Sequence, residues 1–407
     1  MAEDLPFLPY GRQVIEDDDV AAVAQALRAD MLTTGPRVAA FEDAFAKAVG
    51  ARHAVACANG TAALHLAMLA LDLQPGEAVI VPTITFTATA NCARFCGGEV
   101  VSADVDPDTG LLTEATLAEA IGRLGGRRLR AVLPVHLSGN VVDLPAIQRL
   151  AEAEGAVLVE DACHALGTTM AFDNNPERVG DGRRSAMACF SFHPVKTIAT
   201  GEGGMVTTND PALAERLALM RAHGISRDPS GFQRADLAFD ADGAVNPWFY
   251  EMQDLGFNYR MPDVLCALGI SQLAKLDRFI ARRRSLAARY RELIAPLAPL
   301  VRTVPTPRGS DPTLHLFVAL IDFAAAGRSR RQVMEALRER GIGSQVHYIP
   351  VHEQPYYRDL YGPLSLPGAD AYYARCLSLP LFPAMTDNDP DRVIAALRDV
   401  LGIGRKR

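Results

Sequence analysis

The chain has 407 residues, of which 49% are hydrophobic and 22% charged, and its formal net charge at pH 7 is −7. This length permits a large core and predicts a division into a large and a small domain. The acidic balance argues against a nucleic-acid partner. Polar residues interrupt the apolar runs well short of a bilayer span, and residues 1–4 lack the basic start of a signal peptide, so we expect no membrane partner.

The cysteines indicate a reduced protein of the cytoplasm. They are odd in number, scattered and mostly set in apolar contexts, at positions 57, 92, 96, 163, 189, 266 and 376. Such cysteines are typical of buried thiols. Cys92 and Cys96 lie one helical turn apart, but no second pair or histidine at ligand spacing accompanies them, so we expect no metal site.

The first elements lead to a candidate phosphate site. Residues 1–12 are irregular, amphipathic helices are predicted over 16–29 and 37–49, and a short strand over 54–58 precedes a helix over 64–71. A turn of small residues that opens a helix presents free N–H groups and the positive end of the helix dipole, which suits a phosphate monoester. The candidate contacts in this turn are Gly60, Thr61 and Ala62.

From residue 78 onwards, strands and helices alternate. The predicted strands cover 78–85, 99–105, 129–136 and 156–160, and the predicted helices cover 86–95, 113–124 and 143–154. Continuous apolar strands separated by helices are typical of an α/β protein, with a mostly parallel sheet that helices cover on both faces.

Asp161 and Phe86 each follow a predicted strand, at the edge of the sheet where ligands bind in such folds. Asp161 ends the apolar run 156–160, and His164 comes three residues later. A buried carboxylate at this edge can keep a pyridinium nitrogen protonated, although a helix N-cap is the alternative. Phe86 follows the strand 78–85, and its ring either stacks on a ligand or packs in the core.

A single lysine stands between two predicted strands, 187–192 and 205–208. Lys196 follows a turn at Pro194 and precedes a cluster of glycines over 201–204. If this turn lies in a cleft, partial desolvation favours the neutral amine and makes it nucleophilic. The alternative is a solvated surface lysine.

The C-terminal part of the chain predicts a linking helix and a smaller domain. A helix over 210–224 precedes a mobile loop over 226–247, and one long helix covers 262–297, unless it is kinked near Lys275. Strands over 314–322 and 344–347 and helices over 330–340, 368–376 and from Asp389 complete the chain. We therefore expect an N-terminal segment and large domain over 1–265, and the linking helix with a small domain over 266–407.

Three segments resemble motifs of the DegT/DnrJ/EryC1/StrS sugar aminotransferases, and the resemblance covers nearly the whole chain. They are Phe190-Ser-Phe-His-Pro-Val-Lys196, Glu160-Asp-Ala-Cys-His164 and Gly256-Phe-Asn-Tyr-Arg-Met261. The resemblance implies the aspartate-aminotransferase-like fold of fold type I pyridoxal-phosphate enzymes, with a mostly parallel sheet in a large cofactor-binding domain and a smaller α+β C-terminal domain. It also implies a homodimer with shared active sites.

The resemblance implies a role for several of these residues. Lys196 would bind pyridoxal 5'-phosphate and shuttle a proton, Asp161 would hold the ring nitrogen protonated, and His164 would lie beside the cofactor. Ser191 and Thr61 would anchor the phosphate. Two further contacts come from the segment 256–261. Asn258 of one subunit would bind the phosphate in the site of the neighbouring subunit. Arg260 would pair with the donor carboxylate or form a structural salt bridge.

Within the family, segments such as 8–13, 32–36, 341–352 and 377–382 resemble the members that serve pseudaminic acid biosynthesis. This implies amino transfer from L-glutamate, which leaves as 2-oxoglutarate, to UDP-2-acetamido-2,6-dideoxy-β-L-arabino-hex-4-ulose. The residues that match its pocket are Tyr10, Met31, Thr33, His315 and Tyr348.

Two alternatives remain at this point. One is an aminotransferase for a different 4-keto sugar, such as a perosamine-forming enzyme, which would differ only in the sugar pocket. The other is a non-catalytic regulator that kept the fold. Retention of Lys196, Asp161 and the glycine cluster disfavours the regulator, since an idle site has no chemical need for them. A family dehydratase would lack the lysine.

Overall fold

The computed structural model describes residues 6–172 and 175–404. Its helices are α1 (Asp17–Leu27), α2 (Pro36–Val49), α3 (Gly60–Ala70), α4 (Thr87–Phe95), α5 (Glu114–Ile121), α6 (Leu144–Ala153), α7 (Pro211–Met220), α8 (Ala235–Ala238), α9 (Asp263–Leu273), α10 (Leu276–Ile294), α11 (Arg330–Glu339), α12 (Pro355–Tyr361), α13 (Pro367–Arg375) and α14 (Asp389–Val400). Its strands are β1 (His53–Cys57), β2 (Ala78–Pro82), β3 (Glu99–Ala103), β4 (Leu129–Val132), β5 (Val157–Asp161), β6 (Thr169–Phe172), β7 (Asn175–Arg178), β8 (Met187–Ser191), β9 (Gly204–Thr208), β10 (Ile225–Ser226), β11 (Glu251–Met252), β12 (Val301–Thr303), β13 (Ser310–Asp311), β14 (Phe317–Ile321) and β15 (Cys376–Leu379).

A seven-stranded sheet in the order β1-β9-β8-β5-β4-β2-β3 forms the centre of the molecule. Strand β9 is antiparallel to both of its neighbours, while the pairs from β8 to β3 are parallel. The mostly parallel α/β sheet predicted from the apolar runs is therefore confirmed. Parallel strands joined by helical crossovers place their carboxyl ends at one edge of the sheet.

Helices cover both faces of this sheet. Along β2, Ala78 and Ile80 pack into one hydrophobic cluster, whereas Val79 and Val81 pack into another on the opposite face. Because side chains alternate along a strand, a strand buried on both faces must be apolar throughout. Helix α3 is almost entirely buried, since it lies inside one of these layers.

The C-terminal part forms a smaller α+β layer around an antiparallel sheet, β12-β14-β15. Helices α10, α11 and α14 supply its core, with Tyr290, Leu337 and Ile394 among the buried side chains. The division of the chain at 265 and 266 stays a prediction.

One long predicted helix and one predicted strand take other forms in this part of the structure. The helix predicted over 262–297 is broken into α9 and α10, as the alternative kink near Lys275 anticipated. The ammonium of Lys275 bonds to Asp18 and Asp19 of α1, each at 2.7 Å. The strand predicted over 344–347 is wrong, because this segment makes only a single bridge, from Gln345 to Ser378, and strand β15 fills the sheet position instead.

The predicted loop over 226–247 contains the short helix α8, and the two-stranded ribbon β10-β11 flanks it. Its mobility stays a prediction. Residues 1–5 of the predicted irregular N-terminus lie outside the described residues. Among the helices that the structure describes, none is both long enough and apolar enough to span a membrane.

Candidate active site

A cavity of about 410 Å³ opens at the carboxyl edge of the central sheet. The ends of β5 and β8, the start of α3 and the turn before α4 form one side, and residues of the C-terminal part close the other side. Ten predicted site residues line it: Tyr10, Gly60, Thr61, Phe86, Asp161, His164, Ser191, Lys196, His315 and Tyr348. The fold thus brings together side chains that are up to 338 positions apart (348 − 10).

Asp161 lies at the buried end of β5, with 6% of its surface exposed. Its Oδ2 accepts a hydrogen bond of 2.6 Å from Thr89 Oγ1, and its Oδ1 accepts one of 3.1 Å from the Cys163 N–H. Thr85 Oγ1 lies 2.7 Å from Thr89 Oγ1. Since the Thr89 proton points at the carboxylate, Thr89 must accept from Thr85. These donors stabilise the ionised carboxylate inside the protein.

The Lys196 side chain reaches the same cavity from the turn after β8. Its backbone N–H donates to the His193 carbonyl at 2.8 Å, which closes the turn. Burial lowers the pKa of the Lys196 amine below its ordinary value, and Cys163 and Asp161 oppose this shift. A lowered pKa increases the fraction of neutral amine, which is the nucleophilic and basic form.

The N-terminus of α3 forms a cradle for an anion. The Ala62 N–H donates to the side chain of Asn59, which caps the helix, at 2.8 Å. Gly60 and Thr61 line the cavity and Ala62 does not. The glycine is required by close approach, because a Cβ at Gly60 would lie 2.8 Å from the Ser191 Cβ. The cradle therefore consists of the first helical turn at Gly60 and Thr61, together with Ser191.

His164 is a buried residue of the cavity wall, with 7% of its surface exposed. Its Nδ1 accepts the Ser138 N–H at 3.2 Å, and its Nε2 lies 3.1 Å from the Tyr348 hydroxyl. Burial, together with the charge of Lys196 and a smaller effect of His347, holds the pKa of His164 well below its usual range. This histidine is consequently neutral in the folded protein.

The wall opposite the sheet is built of uncharged polar rings. The His315 ring is tilted by 46° against the His164 ring at a centroid distance of 4.4 Å, and the Tyr10 ring lies 5.4 Å from that of His347. Burial lowers the pKa of His347 to about 3 and holds that of His315 well below its usual range. This wall presents hydrogen-bonding groups without charge.

Phe86 faces the cavity. Its side chain is 56% exposed and its ring lies 6.2 Å from that of Tyr348. The exposure argues against packing in the core, and the position leaves the ring free to stack on a flat ligand.

Five predicted site residues lie outside this cavity. Ala62 is engaged in the helix cap. Met31 and Thr33 are exposed on the segment before α2, and Asn258 is exposed beside Ala222, with which it forms a β-bridge. Arg260 lines a second cavity of about 250 Å³. Their proposed contacts stay predictions.

Sequence reasoning missed several residues that line the cavity: Thr85, Thr89, Cys163, His193, Glu202 and His347. Thr85 and Thr89 stand one helical turn apart beside Phe86, and that spacing next to a strand end was an available signal. No local pattern distinguishes His347, which reaches the cavity only through the packing of the C-terminal part.

The chemistry of these groups fits pyridoxal phosphate. The cavity offers an amine with a lowered pKa, a carboxylate stabilised in its ionised form, a helix N-terminus with a hydroxyl for a phosphate, and an exposed aromatic ring. A mostly parallel α/β fold with this site defines a pyridoxal-phosphate-dependent aminotransferase.

Comparison with known proteins agrees with this class. The model of the DegT/DnrJ/EryC1/StrS aminotransferase family matches residues 13–398, and the chain belongs to this family. The chain is similar to Helicobacter pylori PseC, an aminotransferase involved in the biosynthesis of pseudoaminic acid, with 26% identity over 97% of this chain and 99% of that one and a TM-score of 0.85.

Two other solved structures are similar over nearly the full chain. DesI, determined in the presence of its TDP-sugar product, is 33% identical over 99% of this chain and 95% of that one, with a TM-score of 0.82. The putative sugar aminotransferase Spr1654 from Streptococcus pneumoniae, in its PMP form, is 25% identical over 98% and 99% of the two chains, with a TM-score of 0.85. The predicted aspartate-aminotransferase-like fold is thereby confirmed.

Proposed function

We propose that this enzyme uses pyridoxal 5'-phosphate to transfer the amino group of L-glutamate to a 4-keto nucleotide sugar, UDP-2-acetamido-2,6-dideoxy-β-L-arabino-hex-4-ulose. The observation that carries the proposal is the meeting of Lys196 and Asp161 in one cavity, beside an anion cradle and a neutral polar wall. Membership of an aminotransferase family and the likeness to PseC support the reaction and the sugar.

Bound pyridoxal phosphate supplies an electron sink for the electron pair that remains when the C–H bond beside an amino group breaks. Lys196 holds this group between turnovers, and its neutral Nζ moves the proton from the donor α-carbon during the reaction. Asp161 keeps a proton on the ring nitrogen, because Thr89 and the Cys163 N–H stabilise its negative charge. His164 is part of the same cavity wall.

The remaining contacts place the two ends of the cofactor. Gly60, Thr61 and Ser191 bind its phosphate, with Ala62 fixing the helix cap behind them. Phe86 covers the ring. This arrangement orients the reacting atoms towards Lys196 and keeps water from the ring face.

The neutral wall sets the preference for a sugar. Tyr10, His315 and Tyr348 offer hydrogen bonds without charge, which suits hydroxyl, keto and acetamido groups. A substrate with a carboxylate at this wall would lose the water that solvates its charge. It would need a cation from the protein in compensation. Met31, Thr33 and Arg260 complete the substrate contacts only if a second copy of the chain brings them to the cavity.

We therefore propose a homodimer with shared sites, in which Asn258 of one subunit binds the phosphate in the other. The segment before Asn258 exposes large apolar side chains, with Trp248 73%, Met252 64% and Leu255 75% exposed. Such a patch favours association. Mixing inactive Lys196→Ala chains with inactive Asn258→Ala chains should restore activity, because each mixed dimer then contains one intact site. No restoration would exclude sites shared through Asn258.

The sugar is tested by offering purified enzyme, glutamate and a set of 4-keto nucleotide sugars, and measuring the amino sugar by mass spectrometry. The UDP-linked substrate should have the highest kcat/KM. Preference for a TDP sugar would favour the second candidate, an aminotransferase for a different 4-keto sugar. That candidate has a specific support, since identity to DesI exceeds identity to PseC.

A further inference from the structure

A chain of hydrogen bonds runs from the Ser138 backbone through His164 to Tyr348 along the wall of the cavity. The Ser138 N–H lies 3.2 Å from His164 Nδ1, and His164 Nε2 lies 3.1 Å from the Tyr348 hydroxyl. Ser138 and His164 are buried, with 5% and 7% of their surfaces exposed. Both ring nitrogens of His164 are therefore engaged by protein groups.

The direction of each bond follows from the donor at one end. A backbone N–H can only donate, so Nδ1 of His164 must be an acceptor. The neutral imidazole then carries its single proton on Nε2. That N–H donates to the Tyr348 oxygen, and the tautomer is determined by the protein itself.

Tyr348 is left with one free proton. Its oxygen accepts from His164, so its own O–H points away from that ring. Burial raises the pKa of Tyr348 well above its usual range, so the phenol keeps its proton. Since Tyr348 lines the cavity, this O–H is available to a bound ligand.

The backbone conformation of Ser138 is a further sign that this hydrogen-bonded turn has a functional role. Ser138 has φ +62° and ψ +3°, which lies in the left-handed region that residues other than glycine rarely adopt. The turn is held by the bonds Gly139 N–H to His136 O and Asn140 N–H to Leu137 O. Strained residues that persist in buried turns cluster at functional sites.

We propose that Ser138 and His164 are positioning residues that orient Tyr348 as a fixed O–H donor to the keto oxygen of the sugar substrate. This inference rests on the proposed function. It adds a role for His164, which lines the cavity and also orients Tyr348. The amine that the cofactor would carry adds to the carbonyl carbon, and the oxygen would take both amine protons and leave as water. The O–H would stabilise the negative charge on that oxygen during the addition.

The hydrogen bonds from Ser138 through His164 to Tyr348 form what we call the relay. Three variants distinguish this relay from a purely structural role of His164. In His164→Gln, the amide oxygen can accept from Ser138 and the amide nitrogen can donate to Tyr348. In His164→Leu, a side chain of similar size makes neither bond. Tyr348→Phe removes only the hydroxyl. Thermal unfolding of each variant holoenzyme checks that it folds.

The two half-reactions are then followed separately in single turnovers. We expect Tyr348→Phe to slow sugar amination by about 10²-fold, the typical effect of losing one such donor, and His164→Leu to slow it by about tenfold. The glutamate half-reaction should be slowed less than sugar amination in both variants, and His164→Gln should recover most of the amination rate that His164→Leu loses. Equal slowing of both half-reactions, or a Gln variant as slow as the Leu variant, would overturn the relay.

The tautomer is measured without any reaction. In the holoenzyme labelled with ¹⁵N-histidine, the His164 signals are identified by their loss in His164→Gln. The relay requires a protonated Nε2 and an unprotonated Nδ1, and a proton on Nδ1 would overturn it. If this tautomer is present but the wild-type enzyme does not react with glutamate, the proposed function fails while the hydrogen-bond relay stands.

Discussion

Thr89 donates a hydrogen bond of 2.6 Å to the Asp161 carboxylate at the buried end of β5. Because this bond stabilises the charged form, Thr89→Val should make Asp161 a poorer partner for the ring nitrogen. We expect about a 10- to 150-fold loss in kcat/KM, since a hydrogen bond to a charged group contributes about 1.5–3 kcal/mol. Steady-state kinetics and the cofactor Kd measure the effect.

Thr89→Ser is the matched control, because it keeps the hydroxyl and removes only a methyl group. Thr85→Val should have a smaller effect, since Thr85 acts on Asp161 only through Thr89. Equal activity of the Val and Ser variants at position 89 would show that the bond has no influence on the carboxylate.

Replacement of Lys196 should remove turnover without unfolding the chain. In Lys196→Ala, we expect a loss of at least about 10³-fold, because the variant has neither the amine that binds the cofactor nor the base that moves the proton. The Tm of the apoprotein should not fall, since the change removes a half-buried amine whose charged form is disfavoured by desolvation. Full amination activity in this variant would refute the assigned role.

The lowered pKa of Lys196 predicts how cofactor binding depends on pH. The neutral amine attacks the aldehyde, so association of pyridoxal phosphate with the apoprotein should accelerate as the pH rises. It should reach a plateau below 10.5, the ordinary pKa of a lysine. Stopped-flow absorbance gives the profile. A plateau only at or above that pH would mean that burial does not lower the pKa.

The cradle predicts a steric effect at Gly60. A Cβ there would lie 2.8 Å from the Ser191 Cβ, so Gly60→Ala must push Ser191 away from the helix N-terminus. We expect the Kd of pyridoxal phosphate to rise at least about tenfold, the change that 1.4 kcal/mol produces. Equilibrium titration of the apoprotein measures it.

Gly122→Ala is the control for this prediction. Gly122 ends helix α5 with φ −58°, and an added Cβ there would make an ordinary contact of 3.4 Å with the Glu119 carbonyl. Its cofactor affinity should match wild type. If the two variants bind the cofactor equally well, the close approach at Gly60 does not define the phosphate site.

Much of the sheet and its edge could be predicted from local patterns. The strands of the parallel sheet are buried on both faces, so each is a continuous apolar run that ends where the polar chemistry begins. Asp161 follows such a run directly, and Lys196 is marked by the turn and glycines around it. Residues of this kind are identified by their own neighbours in the chain.

The rest of the site depends on packing over long distances in the chain. His164 meets Tyr348 across 184 positions, and no periodicity encodes that contact. Gln345 and Ser378 form a bridge, but strand β15 continues the sheet and the segment 344–347 does not, because the latter turns towards the cavity. The phosphate contact of Ala62 stays a prediction, and its N–H donates to the Asn59 side chain that caps the helix.

The central claim is tested most directly by the absorbance spectrum of the purified holoenzyme before and after addition of L-glutamate, with no sugar present. We expect the visible band of bound pyridoxal phosphate to disappear and the near-ultraviolet band of pyridoxamine phosphate to replace it. Addition of the UDP-linked keto sugar should then restore the visible band. If the protein shows no band even after pyridoxal phosphate is supplied, the chain is not an aminotransferase and the account is contradicted.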